Sequence, residues 1–146
     1  MIRSVYSCVG AAKASKKIAG GLDNLLAVGV GASVMLTKNL LIQYGLVNGA
    51  SGTVVDLVGA DGVCDVIIVD IPRYSGPALC GAHPRTWIPI PRSSAQWFSG
   101  GSTRERKQFP LTLAYAITIH KSQGSTFLPG TNLVIDIGVL FVRLFV

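Results

Sequence analysis

The polar turn at residues 118–124, with the sequence TIHKSQG, carries the densest set of chemically active side chains in the protein. It holds two hydroxyls, an imidazole, an ammonium and a carboxamide, all of which can donate hydrogen bonds to a phosphate. The turn follows an apolar run at 111–117, whose β-branched and aromatic residues predict a buried strand. A strand that enters a helical turn exposes backbone N–H groups and the positive end of a helix dipole. The turn therefore predicts a phosphate-binding site; the alternative is a polar loop that only caps the strand.

Other chemistries lack the residues that they need. None of the 17 glycines is followed by lysine, so the chain has no G-x-x-x-x-G-K-[S/T] loop to hold a triphosphate. Glu105 is the only glutamate, and no acidic pair is placed to bind magnesium and orient water. A Ser-His-Asp order and paired catalytic carboxylates are likewise unsupported. We assign no catalytic residue and no metal ligand, and expect this chain alone to bind neither ATP nor Mg²⁺.

The net charge of +6 is concentrated just before the turn. Residues 71–110 contain six cations and one glutamate, which gives +5. The cations alternate with aromatic residues, which predicts a track for a phosphate backbone with bases stacking on the rings. The alternative is a solvated face above core aromatics. The cations are Arg73, Arg85, Arg92, Arg104, Arg106 and Lys107, and the aromatic residues are Tyr74, Trp87, Trp97 and Phe98.

The cysteine content favours a reducing compartment. The three cysteines form no C-x-x-C pair, and residues 1–10 contain no sustained apolar core of a secretory signal, so we expect buried thiols in an intracellular protein, nuclear or mitochondrial if eukaryotic. Cys80 and His83 offer half of a zinc site, but the other half would need both distant cysteines, Cys8 and Cys64. The longest apolar stretch, 133–146, is interrupted by charges and shorter than the ~20 residues of a membrane helix, so no membrane partner is expected.

Turn signals in the first half predict a meander of short strands. Asn-Gly at 48–49 and Asp-Gly at 61–62 favour hairpin turns around strands at 53–58 and 63–70. A further strand is predicted at 86–90, which gives the handful of strands of a small SH3-like barrel. Four aspartates lie in or beside the meander, and their spacing favours a solvated rim over a metal cluster. They are Asp56, Asp61, Asp65 and Asp70.

The flanking segments are less regular. Residues 7–20 predict a short surface helix or a loop, and the runs 25–30 and 32–36 predict two strand segments joined by a glycine bend. Residues 93–107 are polar and rich in serine and glycine, which predicts a connection out of the β-module. After it, strand 111–117, the polar turn and a strand at 133–137 follow the pattern of a parallel α/β sheet with its site at the strand's carboxyl end.

Two blocks of sequence resemble one known family. The stretch FPLTLAYAITIHKSQGSTF resembles the late helicase motif of superfamily 1B DNA helicases, the class of the petite-integration-frequency and helitron helicases and, more distantly, the RecD-like enzymes. The stretch GLDNLLAVGVGASVMLTKNL, followed by YGLVNGASGTVVDLV, is similar to the same family's pattern leading into an SH3-like module. Both blocks occur in the family's order, and together with the segment that links them they cover the chain from about Gly20 to Asp136.

The resemblance implies an α/β fold with mainly β content, in which a small SH3-like β-module joins part of a RecA-like parallel α/β domain. It implies three segments: 1–35 leads the second RecA-like domain, 36–108 holds the β-module and return linker, and 109–146 carries the motif. The implied partners are single-stranded DNA and the missing motor halves of the same enzyme, with ATP and Mg²⁺ as cofactors of the intact enzyme. For the DNA backbone, the resemblance implies contacts from Thr118, His120, Lys121 and Ser122, to which the basic track adds Arg104, Arg106 and Lys107. For the nucleotide cleft it implies Gln123 and Gly124.

The sequence departs from the family after Gly138. The tail 139–146 does not match the helix and arginine motif expected there, so Arg143 is not assigned as an arginine finger. Hydrophobic residues make up 49% of the chain and mean hydropathy is +0.50, which is typical of a piece covered by missing neighbours. We therefore expect a C-terminal-half helicase fragment that is inactive alone. The alternatives are a non-catalytic nucleic-acid- or protein-binding β-module and a decayed transposon product.

Overall fold

The computed structural model describes residues 2–3, 5–6, 9–60, 63–81, 83–115, 132–136 and 141–145. Strands dominate this part of the chain, so the predicted mainly β content is confirmed. The strands are β1 (Ile2–Arg3), β2 (Val5–Tyr6), β3 (Leu25–Leu26), β4 (Ser33–Leu36), β5 (Ser51–Ala60), β6 (Val63–Asp70), β7 (Trp87–Pro91), β8 (Ser93–Ser99), β9 (Ser102–Gln108), β10 (Leu111–Leu113), β11 (Asn132–Asp136) and β12 (Phe141–Phe145). The helices are α1 (Val9–Ala12) and a 3-10 helix (Ile42–Tyr44). The described part contains no helix that is long and apolar enough to cross a membrane.

The chain divides into two compact units, residues 1–116 and residues 117–146. One sheet of the first unit takes strands from all three predicted segments. The predicted boundaries at 35/36 and 108/109 therefore do not separate compact units here, and β4 crosses the first of them. As a division of an intact helicase, the three segments stay a prediction.

The main sheet has five antiparallel strands in the order β10-β4-β5-β6-β7. Strands β5 and β6 form a long hairpin in which Val54 pairs with Val69 and Ala60 with Val63. This confirms the strands predicted at 53–58, 63–70 and, shifted by one residue, 86–90. The Asn-Gly pair at 48–49 does not close a two-residue hairpin, because it lies in the long loop between β4 and β5, where Gly49 has a φ of 96°.

Alternation along these strands builds the core. Buried side chains alternate with half-buried ones at the end of β6 and along β7, so Ile67, Val69, Ile88 and Ile90 face the same interior. Strands β4 and β10 add aliphatic residues, and Phe109 lies fully buried just before β10. Burial of these side chains removes apolar surface from water, at about 25 cal/mol per Å². The hydrophobic cluster thus holds together strands as far apart in the sequence as β3, with Leu26, and β10, with Leu111.

The second sheet corrects the prediction for residues 93–107. Instead of an irregular connection, β8 and β9 form an antiparallel hairpin that continues to β2 in the order β2-β9-β8. Its turn is the pair Gly100 and Gly101, with φ of 60° and 75°. A two-residue turn that matches the right-handed strand twist needs positive φ at both positions, which glycine adopts without steric cost.

The second unit contains an antiparallel pair. Strand β11 confirms the strand predicted near 133–137, but it pairs with β12, with Asn132 opposite Phe145 and Asp136 opposite Phe141. Strand β10, predicted as its parallel neighbour, pairs antiparallel with β4 in the first unit. Every pairing in the described residues is antiparallel, so the expected parallel arrangement of 111–117 and 133–137 is not found there.

Candidate nucleic-acid interface

The predicted phosphate-binding turn lies outside the described residues. The roles assigned to it on sequence grounds therefore stay predictions. They concern backbone contacts by Thr118, His120, Lys121 and Ser122, and coupling to the nucleotide cleft by Gln123 and Gly124.

The β8–β9 hairpin carries the other predicted nucleic-acid contacts, and its register sorts them onto two faces. Trp97 lies opposite Arg104 and Ala95 opposite Arg106, so these side chains leave the hairpin on one face. Gln96 lies opposite Glu105, which places that pair on the other face. The hairpin thus places Arg104 and Arg106 on one face and Lys107 on the opposite face.

Arg106 is fully buried, which corrects its predicted role as a DNA contact. Its Nη1 donates to the Leu22 carbonyl at 3.0 Å, and its Nη2 donates to the carbonyls of Ala11 and Ala14, both at 2.8 Å. A weaker contact of 3.4 Å reaches the Ala12 carbonyl. The guanidinium therefore ties α1 and the following turns to the hairpin, where water and a phosphate cannot reach it.

Arg104 is half-buried and Lys107 is exposed, and their contacts with DNA stay predictions. Lys107 is exposed, with its Nζ 3.9 Å from a Glu105 oxygen. Ser94 donates to Glu105 at 2.6 Å and Gln96 at 3.4 Å, and these hydrogen bonds, with the nearby Lys107 charge, lower the pKa of the Glu105 carboxyl. The Glu105 carboxylate is held by hydrogen bonds from Ser94 and Gln96 on the neighbouring strand. Its long contact with Lys107 is a weak ion pair, so the Lys107 ammonium stays accessible to solvent.

The wider basic track is only partly formed. Arg73 and Arg85 are exposed in the segment between β6 and β7, but Arg92 donates to the carbonyls of Arg3 and Cys64 at 3.0 and 3.3 Å. The Arg92 guanidinium also lies 4.8 Å from the centre of the Phe109 ring. Its hydrogen bonds are thus used within the protein. Arg92 therefore belongs to the structural group of cations, with Arg106.

The aromatic residues of the track are similarly divided. Tyr74 is buried and donates through its hydroxyl to the Pro77 carbonyl at 2.9 Å. Trp87 is half-buried and stacks on His83, with ring centres 5.1 Å apart. Trp97 is half-buried, whereas Phe98 is 75% exposed at the end of the hairpin. The hairpin therefore carries an exposed aromatic ring, Phe98, and an exposed cation, Lys107, on one face.

Cys64 and Cys80 are free and half-buried, which corrects the expectation of fully buried thiols; Cys8 lies outside the described residues. Burial raises the pKa of the Cys64 thiol. The described residues bring together no group of three His, Cys, Asp or Glu side chains that could hold a metal. Asp56 and Asp65 are exposed, consistent with the predicted rim. Asp70 is half-buried, and Asp61 lies outside the described residues.

The cavity beside the β5–β6 hairpin does not fit a magnesium nucleotide. A cavity of about 550 Å³ beside the β5–β6 hairpin is lined mainly by apolar side chains, together with Arg3 and Arg92. No carboxylate lines it, and Arg92 is already bonded to two carbonyls. Mg²⁺ sites with bound phosphate use carboxylate or hydroxyl oxygens, so this donor set does not suit Mg²⁺-ATP.

Comparisons with known proteins agree on one family. The family model "DNA helicase Pif1, 2B domain" matches residues 17–57. The ATP-dependent DNA helicase PIF1 of Danio rerio is 45% identical over 108 residues, which cover 72% of this chain and 15% of that protein. The chain thus spans under a sixth of that relative's length.

Solved structures show the same relationship. A structure of two coordinating Pif1 helicases, concerning DNA unwinding at forked dsDNA, matches with a TM-score of 0.59 and 32% identity, covering 86% of this chain and 24% of that one. The crystal structure of Pif1 helicase from Bacteroides in complex with ADP-AlF3 and ssDNA matches with a TM-score of 0.57 and 29% identity, covering 86% of this chain and 26% of that one. These matches define the class, a segment of a superfamily 1B DNA helicase. Within that class the chain belongs to the Pif1 type, which confirms the resemblance seen in the two sequence blocks.

Proposed function

We propose that this chain supplies the β-module and part of the DNA-contacting surface of an ATP-dependent DNA helicase of the Pif1 type. In the intact enzyme, ATP hydrolysis drives movement along single-stranded DNA. The nucleotide and Mg²⁺ are held by motor halves outside this chain, because the residues here do not fit them. The observation that carries the proposal is the β8–β9 hairpin, which is anchored by buried Arg106, exposes Phe98 and Lys107 and holds half-buried Arg104.

Anchoring matters because a DNA-contacting element has to be rigid to hold its charges in place. The four carbonyls bonded by Arg106 fix the base of the hairpin, while its other end stays open to solvent. Exposed cations then attract the phosphate backbone, and an exposed ring offers a surface on which a base can stack. The relatives' names support this assignment, since one is called an ATP-dependent DNA helicase and another is described with bound ssDNA.

A second candidate function is a nucleic-acid- or protein-binding β-module without catalysis. It is favoured by the absence of a phosphate loop from the sequence together with the intact, anchored hairpin. The two candidates differ when the chain is joined to the missing motor halves of a relative. A helicase segment restores DNA-stimulated ATP turnover in such a chimera, whereas an independent module does not.

We predict that the isolated chain binds single-stranded DNA mainly through charge. The logarithm of its affinity should fall linearly with the logarithm of salt concentration, with a slope of about −0.7 for each phosphate neutralised. Arg104→Ala and Lys107→Ala should each make the slope shallower by about that amount, as measured by fluorescence anisotropy over a salt series. Arg85→Ala removes an equal charge outside the hairpin and serves as the matched control. Affinity that does not change with salt would contradict the proposal.

We also predict that the isolated chain hydrolyses no ATP above background, with or without single-stranded DNA. The physical reason is the absence of a phosphate loop from the whole sequence. A phosphate-release assay on the purified chain checks this, with Lys121→Ala as the companion variant. Turnover that disappears in the Lys121→Ala variant would show a nucleotide site that the sequence does not reveal.

A further inference from the structure

A small open crevice lies at the turn end of the β8–β9 hairpin. Its volume is about 430 Å³, within the range of roughly 300–1,000 Å³ that suits small organic ligands. One wall comes from the hairpin and the other from the segment after α1. The crevice is lined by Lys13, Ala14, Ile18, Trp97, Phe98, Ser99 and Arg104.

The walls of the crevice are apolar and exposed. Phe98 has 75% of its surface in water and Ile18 has 57%. A phenyl ring and an aliphatic side chain that stay this exposed around a concave site favour a ligand with a flat, apolar face. Trp97 adds a second aromatic ring to the lining.

The charge in the crevice is positive only. Lys13 and Arg104 contribute cations, and neither forms an ion pair with a described residue. The Arg104 Nε is enclosed and has no hydrogen-bond partner in the described part of the protein. No carboxylate lines the crevice, and Ser94 and Gln96 hold Glu105 on the hairpin face opposite Trp97 and Arg104. A negative group on the ligand would therefore meet two cations and no repulsion.

Aromatic rings beside unpaired cations match one chemistry. We propose that this crevice binds one unpaired nucleobase of a single-stranded DNA, with the base stacked on Phe98 or Trp97 and its phosphate held by Lys13 and Arg104. This inference rests on the proposed function, because it assigns a base-binding site within the DNA-contacting hairpin. A base within a duplex has both of its faces covered by its neighbours, so the crevice selects single strands.

The test separates stacking from charge by removing the bases and keeping the phosphates. The full chain is titrated with oligothymidylate of about 12 nucleotides and with an abasic oligonucleotide of equal length. The thymidylate should bind roughly 5- to 150-fold more tightly, the value of one stacked base. Phe98→Ala should remove this advantage and leave the affinity for the abasic strand unchanged.

Two further variants sharpen the result. Phe98→Leu keeps an apolar side chain without a ring face, so it should lose the thymidylate advantage as Phe98→Ala does. Ile42→Ala is the matched control, since Ile42 is 65% exposed but lies on the 3-10 helix, outside the crevice. It should keep the full advantage. Because Phe98 and Ile42 are exposed, these variants are expected to fold as the parent does.

Tryptophan fluorescence tests whether the bound base lies next to Trp97. The Trp87→Phe chain retains Trp97 as its single tryptophan, and thymidylate should quench that emission while the abasic strand should not. Equal affinity for the two strands would overturn the stacking site and leave the proposed function standing. Binding of neither strand would overturn both. Quenching by an acidic peptide at the same concentration would overturn selection for a base.

Discussion

Arg106→Met should lower the free energy of unfolding of the first compact unit by about 3–5 kcal/mol. The substitution keeps a long apolar side chain but removes the donors that reach the carbonyls of Leu22, Ala11 and Ala14. Those acceptors would stay inside the protein without their partner, and each unsatisfied buried group costs about 1–3 kcal/mol. Urea unfolding followed by tryptophan fluorescence measures the loss.

Two companion variants make this result specific. Arg104→Met removes from the same strand a half-buried guanidinium whose Nε has no hydrogen-bond partner in the described residues, and it should change stability by less than about 1 kcal/mol. Arg106→Lys keeps the charge but replaces the planar fork by one ammonium, which cannot reproduce bonds in several directions, so most of the loss should remain. Equal stability of Arg106→Met and Arg104→Met would show that the buried guanidinium does not hold the hairpin.

Such a role could not have been read from the sequence. Arg106 stands in the charged run Arg104-Glu105-Arg106-Lys107, which has the composition of a solvated segment. Its burial depends on carbonyls that lie 84 to 95 residues earlier in the chain. Backbone acceptors have no residue type that marks them, so a sequence pattern carries no trace of this contact.

The sequence did contain a signal for the hairpin that carries Arg106. The pair Gly100-Gly101 is a known two-residue hairpin turn, and seven-residue segments of equal length flank it. The polar composition of β9, STRERKQ, outweighed that signal because charged residues are poor strand formers. Pairing with β2 and β8, and the burial of Arg106 and Gln108, override that low propensity.

The main sheet was predictable for the opposite reason. Strand β6 holds the β-branched run 66–69 after an Asp-Gly turn signal in the sequence, so local pattern and tertiary burial agree. The parallel sheet was not predictable in this way. A short apolar run such as β10 fits a parallel or an antiparallel neighbour equally well, and its pairing with β4 depends on the distant residues Val34 to Leu36. The family relationship, in contrast, could be recognised from two continuous stretches of sequence, and this required no knowledge of the tertiary structure.

Lys121→Ala should weaken single-stranded DNA binding roughly tenfold or more when the chain is rejoined to the motor halves of an intact relative. The family resemblance places Lys121 against the DNA backbone, where its ammonium makes a charge-assisted hydrogen bond. Loss of such a bond costs about 1.5–3 kcal/mol. Anisotropy titration at fixed salt measures the affinity, and Lys121→Arg, which keeps the charge, is the matched control.

Gln123→Ala should separate coupling from binding in the same rejoined protein. The resemblance places the Gln123 carboxamide toward the nucleotide cleft, so its loss should leave DNA affinity nearly unchanged and lower DNA-stimulated ATP turnover. Steady-state hydrolysis with saturating DNA measures this, because saturation removes any residual difference in affinity. A change in DNA affinity equal to that of Lys121→Ala would place both side chains on the strand. If both variants bind DNA and hydrolyse ATP as the parent does, the turn is only a polar cap on the preceding strand.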